Sequence, residues 1–230
     1  MSVAEITVTE DVTEGHGPRV ALAGFVFAVL FVVGVLLLRQ APSLSEPTQG
    51  LLDYYADPDQ RRGSLIAGLY IVPFSGLAFI WFMAALRARY LQSGGSENVV
   101  LSTVQLLTGT LFVVALFVIG SVRVALVLLA QEAPAVDADS VRAMVALATA
   151  MAEIVGLRAA AVFVAVSSTR AVRSGLFPRW YWILSLLVAL TLLFAFNAWP
   201  PIGMLMPAWV VGSSAFVLSA RRSHEAPAAR

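Results

Sequence analysis

The sequence predicts an all-α, polytopic transmembrane helix bundle of six spans, with a short amphipathic helix in the first outer loop. Three observations predict it. Of the 230 residues, 59% are hydrophobic and 13% charged, whereas an ordinary soluble domain is about 45–50% apolar and about 25% charged. At a mean hydropathy of +0.84, too little polar surface is left to coat a globule in water. The apolar residues also fall in blocks of about 20, the length a helix needs to cross roughly 30 Å of hydrocarbon. Lipid offers no partner to a backbone N–H or C=O, so such blocks must bond within themselves as helices. The ten-residue alternation of a membrane β-barrel is missing.

In chain order, residues 1–19 form a polar N-terminal tail carrying Glu5, Glu10, Asp11, Glu14 and Arg19. A cleaved signal peptide starts basic and has a shorter apolar core. This tail is acidic and leads into a run from Val20 to Leu38, so the run reads as an uncleaved first span. The transmembrane domain extends over 20–220, with spans at about 20–38, 64–86, 104–130, 143–168, 180–198 and 202–219; residues 221–230 are a C-terminal tail. The last two spans are separated by Trp199, Pro200 and Pro201. Two adjacent prolines break a helix, so a tight hairpin is expected, with Pro207 in the first turns of span six.

Helix punctuation fills the connections. Asp57-Pro58-Asp59-Gln60 supplies a capping acid, a proline at the first helical position and a glutamine three residues after the cap. Asp139 or Ser140 can cap span four, and Pro178 can open span five. Asp137 and Asp139 suit the positive end of the span-four dipole. In the long loop 40–63, the stretch from Glu46 to Tyr55 predicts the short helix, with Leu51, Leu52 and Tyr55 sharing a face. It is read either as lying at the membrane interface, which tyrosine favours, or as a lid over an outer cavity.

Arginine sets the orientation. The N-tail, 87–99, 169–179 and the C-tail hold Arg19, Arg87, Arg89, Arg170, Arg173, Arg179, Arg221, Arg222 and Arg230. The opposite loops hold only Arg39, Arg61, Arg62 and Arg142, among seven acids. Positive charge stays inside, so both termini are expected in the cytoplasm of a bacterial cell membrane. Trp180, Tyr181 and Trp182 form an inner aromatic belt and Trp199 an outer one.

Several chemistries are excluded. With no cysteine, there is no disulfide, thiol nucleophile or iron–sulfur cluster. Both histidines, His16 and His224, sit in the tails, which removes a Ser–His–Asp triad, haem ligation and a histidine zinc site from the membrane. No phosphate-binding glycine loop occurs, and no cofactor or metal is expected. The net charge of +1 gives no pull on nucleic acid.

Three stretches carry a resemblance. They are Leu52-Asp53-Tyr54-Tyr55-Ala56 leading into Arg62-Gly63-Ser64-Leu65-Ile66-Ala67-Gly68, then Trp81-Phe82-Met83-Ala84-Ala85-Leu86-Arg87, and Gly175-Leu176-Phe177-Pro178-Arg179-Trp180. In order and layout the chain resembles the bacterial membrane proteins grouped as domain of unknown function 4386, from span one onward. The resemblance implies a six-helix fold and transfers no activity and no site residue.

The residues able to carry chemistry are ionisable groups inside apolar runs: Arg123 in span three, and Glu153 and Arg158 in span four. At about 1.5 Å per residue, Arg123 lies roughly 10 Å and Glu153 roughly 14 Å from the outer helix ends. An Arg123–Glu153 pair is therefore expected, either as a structural bridge or as a proton-coupling or ligand site. Five positions at about 100° each place Arg158 away from Glu153, facing another partner or snorkelling inward. Asn197 reads as a helix-to-helix hydrogen bond or a ligand. Ala148, Ala152, Gly156 and Ala160 repeat every fourth residue, a stripe that lets a helix approach closely, in the bundle core or in a dimer.

Three functions follow. The first is a non-catalytic structural or accessory membrane protein, with the lipid bilayer and a membrane-protein partner or second copy as its contacts. The second is a small transporter or proton-coupled carrier using Glu153 and Arg123. The third, a membrane enzyme, is disfavoured by the missing histidine and cysteine.

Overall fold

The computed structural model describes residues 16–92, 98–132, 137–195 and 200–225. All regular structure among them is helical. We number the helices α1 (His16–Leu38), α2 (Thr48–Ala56), α3 (Pro58–Gln92), α4 (Val99–Glu132), α5 (Ala138–Arg173), α6 (Arg179–Phe194) and α7 (Leu205–Glu225). One helical turn, Pro200–Gly203, precedes α7. Among the described residues, four helices are long and apolar enough to cross a membrane: Val20–Leu38, Pro58–Gln92, Val99–Gln131 and Ala138–Arg173. α6 and Leu205–Ser219 of α7 are shorter apolar helices.

Several helices outrun their apolar cores. α3 starts six residues before the apolar run because Asp57 caps it, accepting from the amides of Asp59 (2.9 Å) and Gln60 (3.4 Å). The Gln60 side chain returns a 2.8 Å bond to the same carboxylate. These bonds hold the Asp57 carboxyl below its usual range, since they favour its charged form. The cap of α5 corrects the expectation of Asp139 or Ser140. It is Asp137, which accepts from the Ser140 amide at 3.1 Å and from its hydroxyl at 2.9 Å. Its carboxyl is likewise lowered, first by the Ser140 hydroxyl. At the far end α5 continues to Arg173, into the stretch expected to be a loop. It stops where Gly175 takes φ 74° and the Leu176 amide reaches back to the Ala171 carbonyl at 2.9 Å, a glycine-terminated helix end.

The six long helices pack in a ring, α1–α3–α4–α5–α6–α7, with α7 returning to α1. Aromatic rings fill its centre. Phe79 of α3 meets Phe27 of α1, Phe112 of α4 and Phe163 of α5 at centroid distances of 4.9, 5.1 and 5.0 Å, and Phe163 meets Trp209 of α7 at 6.1 Å. Glycines let α3 and α4 touch. A Cβ on Gly68 would lie 2.7 Å from the Gly120 carbonyl oxygen, and one on Gly76 would lie 2.6 Å from the Phe117 ring.

Two wide turns interrupt the α-helical hydrogen bonding, Ala67–Ile71 in α3 and Met151–Gly156 in α5. These are π turns, closed over five residues instead of four.

α2 docks on the bundle through Leu51, Tyr54 and Tyr55, which pack with Leu126, Val127, Val141 and Val145 of α4 and α5. Tyr54 takes the place expected of Leu52, which is only half-buried. A helix that crosses two neighbours presents positions i, i+3 and i+4 to them.

Candidate functional site: a cavity between the helices

On the α2 side of the aromatic cluster the ring encloses a cavity of about 270 Å³. Its walls come from α1 (Leu30, Phe31, Val35, Leu38), α4 (Phe112, Ala115, Leu116, Ile119) and α5 (Ala152, Glu153, Gly156, Leu157, Ala160), with Val72 and Ser75 of α3 and Met206 of α7. Each helix contributes residues from one side of the ring cluster, and Phe112 belongs to both. The aromatic cluster is thus the floor, and the cavity rises from it toward Arg39 and Gly203.

Three polar residues interrupt the apolar lining: Ser75, Glu153 and Arg39. Ser75 is 1% exposed and its hydroxyl has no hydrogen-bond partner among the described residues. A buried polar atom without a partner is unfavourable by roughly 1–3 kcal/mol. Glu153 lies in the π turn of α5 and makes contacts within the chain. Arg39, at the exposed mouth, has no side-chain partner among the described residues.

A second, polar pocket of about 410 Å³ shares Arg39 with the first. It is lined by Gln40, Ser43, Glu46, Tyr54 and Gln60, between the end of α1 and α2.

The expected site residues are distributed as follows. Arg123 donates from Nη1 to the Tyr55 hydroxyl at 2.9 Å, tying α2 to α4; its Nε is buried without a partner. Tyr54 exchanges a 2.9 Å bond with the Ser64 hydroxyl, and burial pushes its phenol above the usual value against the opposing effect of that bond. Arg158 folds back along its own helix, where its Nη1 donates to the Glu153 backbone carbonyl. The physical reason is the π turn: closing it over five residues brings position i+5 above position i, where a regular helix would turn it aside. Asn197 lies outside the described residues. In the stripe, Ala148 and Ala160 are buried, and a Cβ on Gly156 would stand 3.8 Å from that of Ala115 in α4. Ala152, Gly156 and Ala160 face the cavity.

A further polar cluster lies at the opposite end of the bundle. The Arg170 guanidinium sits 4.9 Å from the centroid of the Tyr90 ring and donates to the Gln105 side-chain oxygen; Tyr90 donates to the Ser167 carbonyl at 2.9 Å. All four residues are buried. Nothing in hydropathy distinguishes this Arg170 from the loop arginines around it. The one signal was Gln105, two residues inside an apolar run.

No protein-family model, curated protein or solved structure matches the chain.

Proposed function

We propose that this chain is a six-span, non-catalytic membrane protein that holds a small hydrophobic molecule in the cavity between its helices, as a carrier or binding protein. In this reading α6 and α7 complete the four long spans, both termini face the cytoplasm, and α2 covers the outer mouth. The arginine asymmetry supports the orientation, and the resemblance to the domain of unknown function 4386 family supports the six-helix layout. The observation that carries the function is the cavity itself. It is apolar, closed at the aromatic floor, and carries an unpartnered buried hydroxyl at Ser75. Packed interiors tolerate few voids larger than a water molecule, and an engineered apolar cavity of about 150 Å³ takes up benzene.

The test is thermal unfolding in lipid nanodiscs with and without pentylbenzene. A ligand that binds the folded state raises its stability by mass action. Tm should rise with pentylbenzene in the parent and stay fixed in Gly156→Leu and Ala160→Leu, which fill the space. A parent Tm insensitive to pentylbenzene, or shifted equally in both filled variants, refutes the reading.

The second reading is a structural or accessory protein. The observation favouring it is the same wall: apart from Ser75, Glu153 and Arg39 it offers a ligand little to recognise.

A further inference from the structure

The two pockets meet at a charge. The apolar cavity ends at Arg39, and the polar pocket begins there. An arginine at such a junction has a lipophilic space on one side and hydrogen-bonding groups on the other. Among the described residues its guanidinium is unpartnered, whereas Glu153 is already engaged within the chain. Arg39 is therefore the cation among the residues that line the cavity, and it lies at the mouth where the polar pocket begins.

We propose, resting on the cavity reading above, that the natural ligand is a single-chain amphiphile with an acidic head, its tail in the apolar cavity and its head against Arg39 in the polar pocket. Guanidinium presents two parallel donors to a carboxylate or phosphate, the geometry such heads accept best. Within the polar pocket Gln40, Ser43, Gln60 and Tyr54 add neutral groups around the head. Glu46 is the one acid there, and it disfavours a head placed away from Arg39.

The dimensions set the tail. From Leu30 to Arg39 is nine positions, or about 13 Å of helix. Scaling from benzene in about 150 Å³, the cavity of about 270 Å³ accepts a tail of roughly eleven non-hydrogen atoms. Length and volume agree on a chain of about ten carbons. A phospholipid with two long tails exceeds both.

The experiment is photolabelling of the full chain in nanodiscs with decanoic acid bearing a tail diazirine, read by peptide mass spectrometry. Label is expected on Phe31, Phe112 and Leu116. Decanoate should displace it at about tenfold lower concentration than decanol, as one charge-assisted hydrogen bond predicts. Arg39→Gln, at an exposed position, should erase that difference while the label stays in the cavity. A decanoyl lysophosphatidic acid competitor distinguishes the sources of the acidic head: displacement by either acid supports the proposal, and the stronger identifies a free acid or a lysolipid. Equal displacement by decanol, or by decyltrimethylammonium, in the parent protein overturns the acidic head and leaves the hydrophobic cavity standing. Label confined to outward-facing Trp81 and Phe194, with none displaceable from the cavity, overturns both.

Discussion

Gly68→Ala tests a helix contact in which an added Cβ would strike the backbone of the neighbouring helix. The added methyl would sit 2.7 Å from the Gly120 carbonyl oxygen and 2.7 Å from a Val124 methyl. The valine can rotate, but the carbonyl belongs to the α4 backbone, so α3 and α4 must separate by several tenths of an ångström. Overpacking of this kind is unfavourable by about 1–3 kcal/mol. Replacing a helical glycine by alanine returns roughly 0.5–1 kcal/mol. Because the clash is with backbone, the upper part of the range applies, and the net loss is about 1.5–2 kcal/mol. That lowers the folded-to-unfolded ratio by roughly thirteen- to thirty-fold. Gly120→Ala meets the Gly68 carbonyl at 3.1 Å and should cost less; Gly156→Ala meets nothing closer than 3.5 Å and should be neutral or slightly stabilising. The assay is reversible unfolding in mixed micelles of mild detergent and dodecyl sulfate. A Gly68→Ala protein as stable as the parent, or a Gly156→Ala protein less stable than it, would refute the geometry.

The remaining predictions address α2, the caps and orientation. Tyr55→Phe removes the acceptor of a charged donor and should destabilise by about 1.5–3 kcal/mol; a double-mutant cycle should show Arg123 coupled more strongly to Tyr55 than to Glu153, and the reverse result would restore the pair expected from depth alone. Asp57→Ala and Asp137→Ala should each lower Tm near neutral pH. Both carboxyls are depressed when folded, so their stabilisation is complete above the unfolded value near pH 4 and is lost as pH falls through the lower folded value. Tm differences from the parent that persist unchanged at the lowest pH would contradict that account. Reporter fusions at Arg230 and within 93–97 should read cytoplasmic and a fusion at Asp137 external; an external C-terminus would mean an odd number of spans.

How much of this was legible in advance divides along physical lines. Asp57-Pro58-Asp59-Gln60 was readable because an N-cap is local: the bonds run two and three residues along the chain. The sequence offers Asp139 or Ser140 as the α5 cap where the structure uses Asp137, because all three suit a cap and only the turn into α5 chooses between them. Arg123 is recognisable as a buried charge, but its observed partner, Tyr55, is 68 residues away in a helix that the sequence reads as interfacial or as a lid over an outer cavity. Matched depth in neighbouring spans says nothing of a helix folding over their ends. Arg158 could not be placed by counting 100° per residue, because a π turn leaves no mark in the hydropathy pattern. The cavity was least visible of all, since a void is a property of five helices together. Its lining residues, taken singly, are ordinary leucines, alanines and phenylalanines.

The two wide turns have a mechanical consequence. A π turn is an α-helix holding one surplus residue, and the surplus can be handed to the next turn by exchanging a few backbone hydrogen bonds. Each such step rotates the side chains between the old and new positions by about 100°, while both ends of the helix stay docked. In α5 the surplus lies at Met151–Gly156, the turn that carries Glu153; in α3 it lies at Ala67–Ile71, just before Val72 and Ser75. Both rest against α4. Part of the cavity wall, Val72 and Ser75 of α3 and Ala152 to Ala160 of α5, thus lies at or beside turns whose surfaces can be re-aimed by screw motion, without hinge, loop or change in helix length.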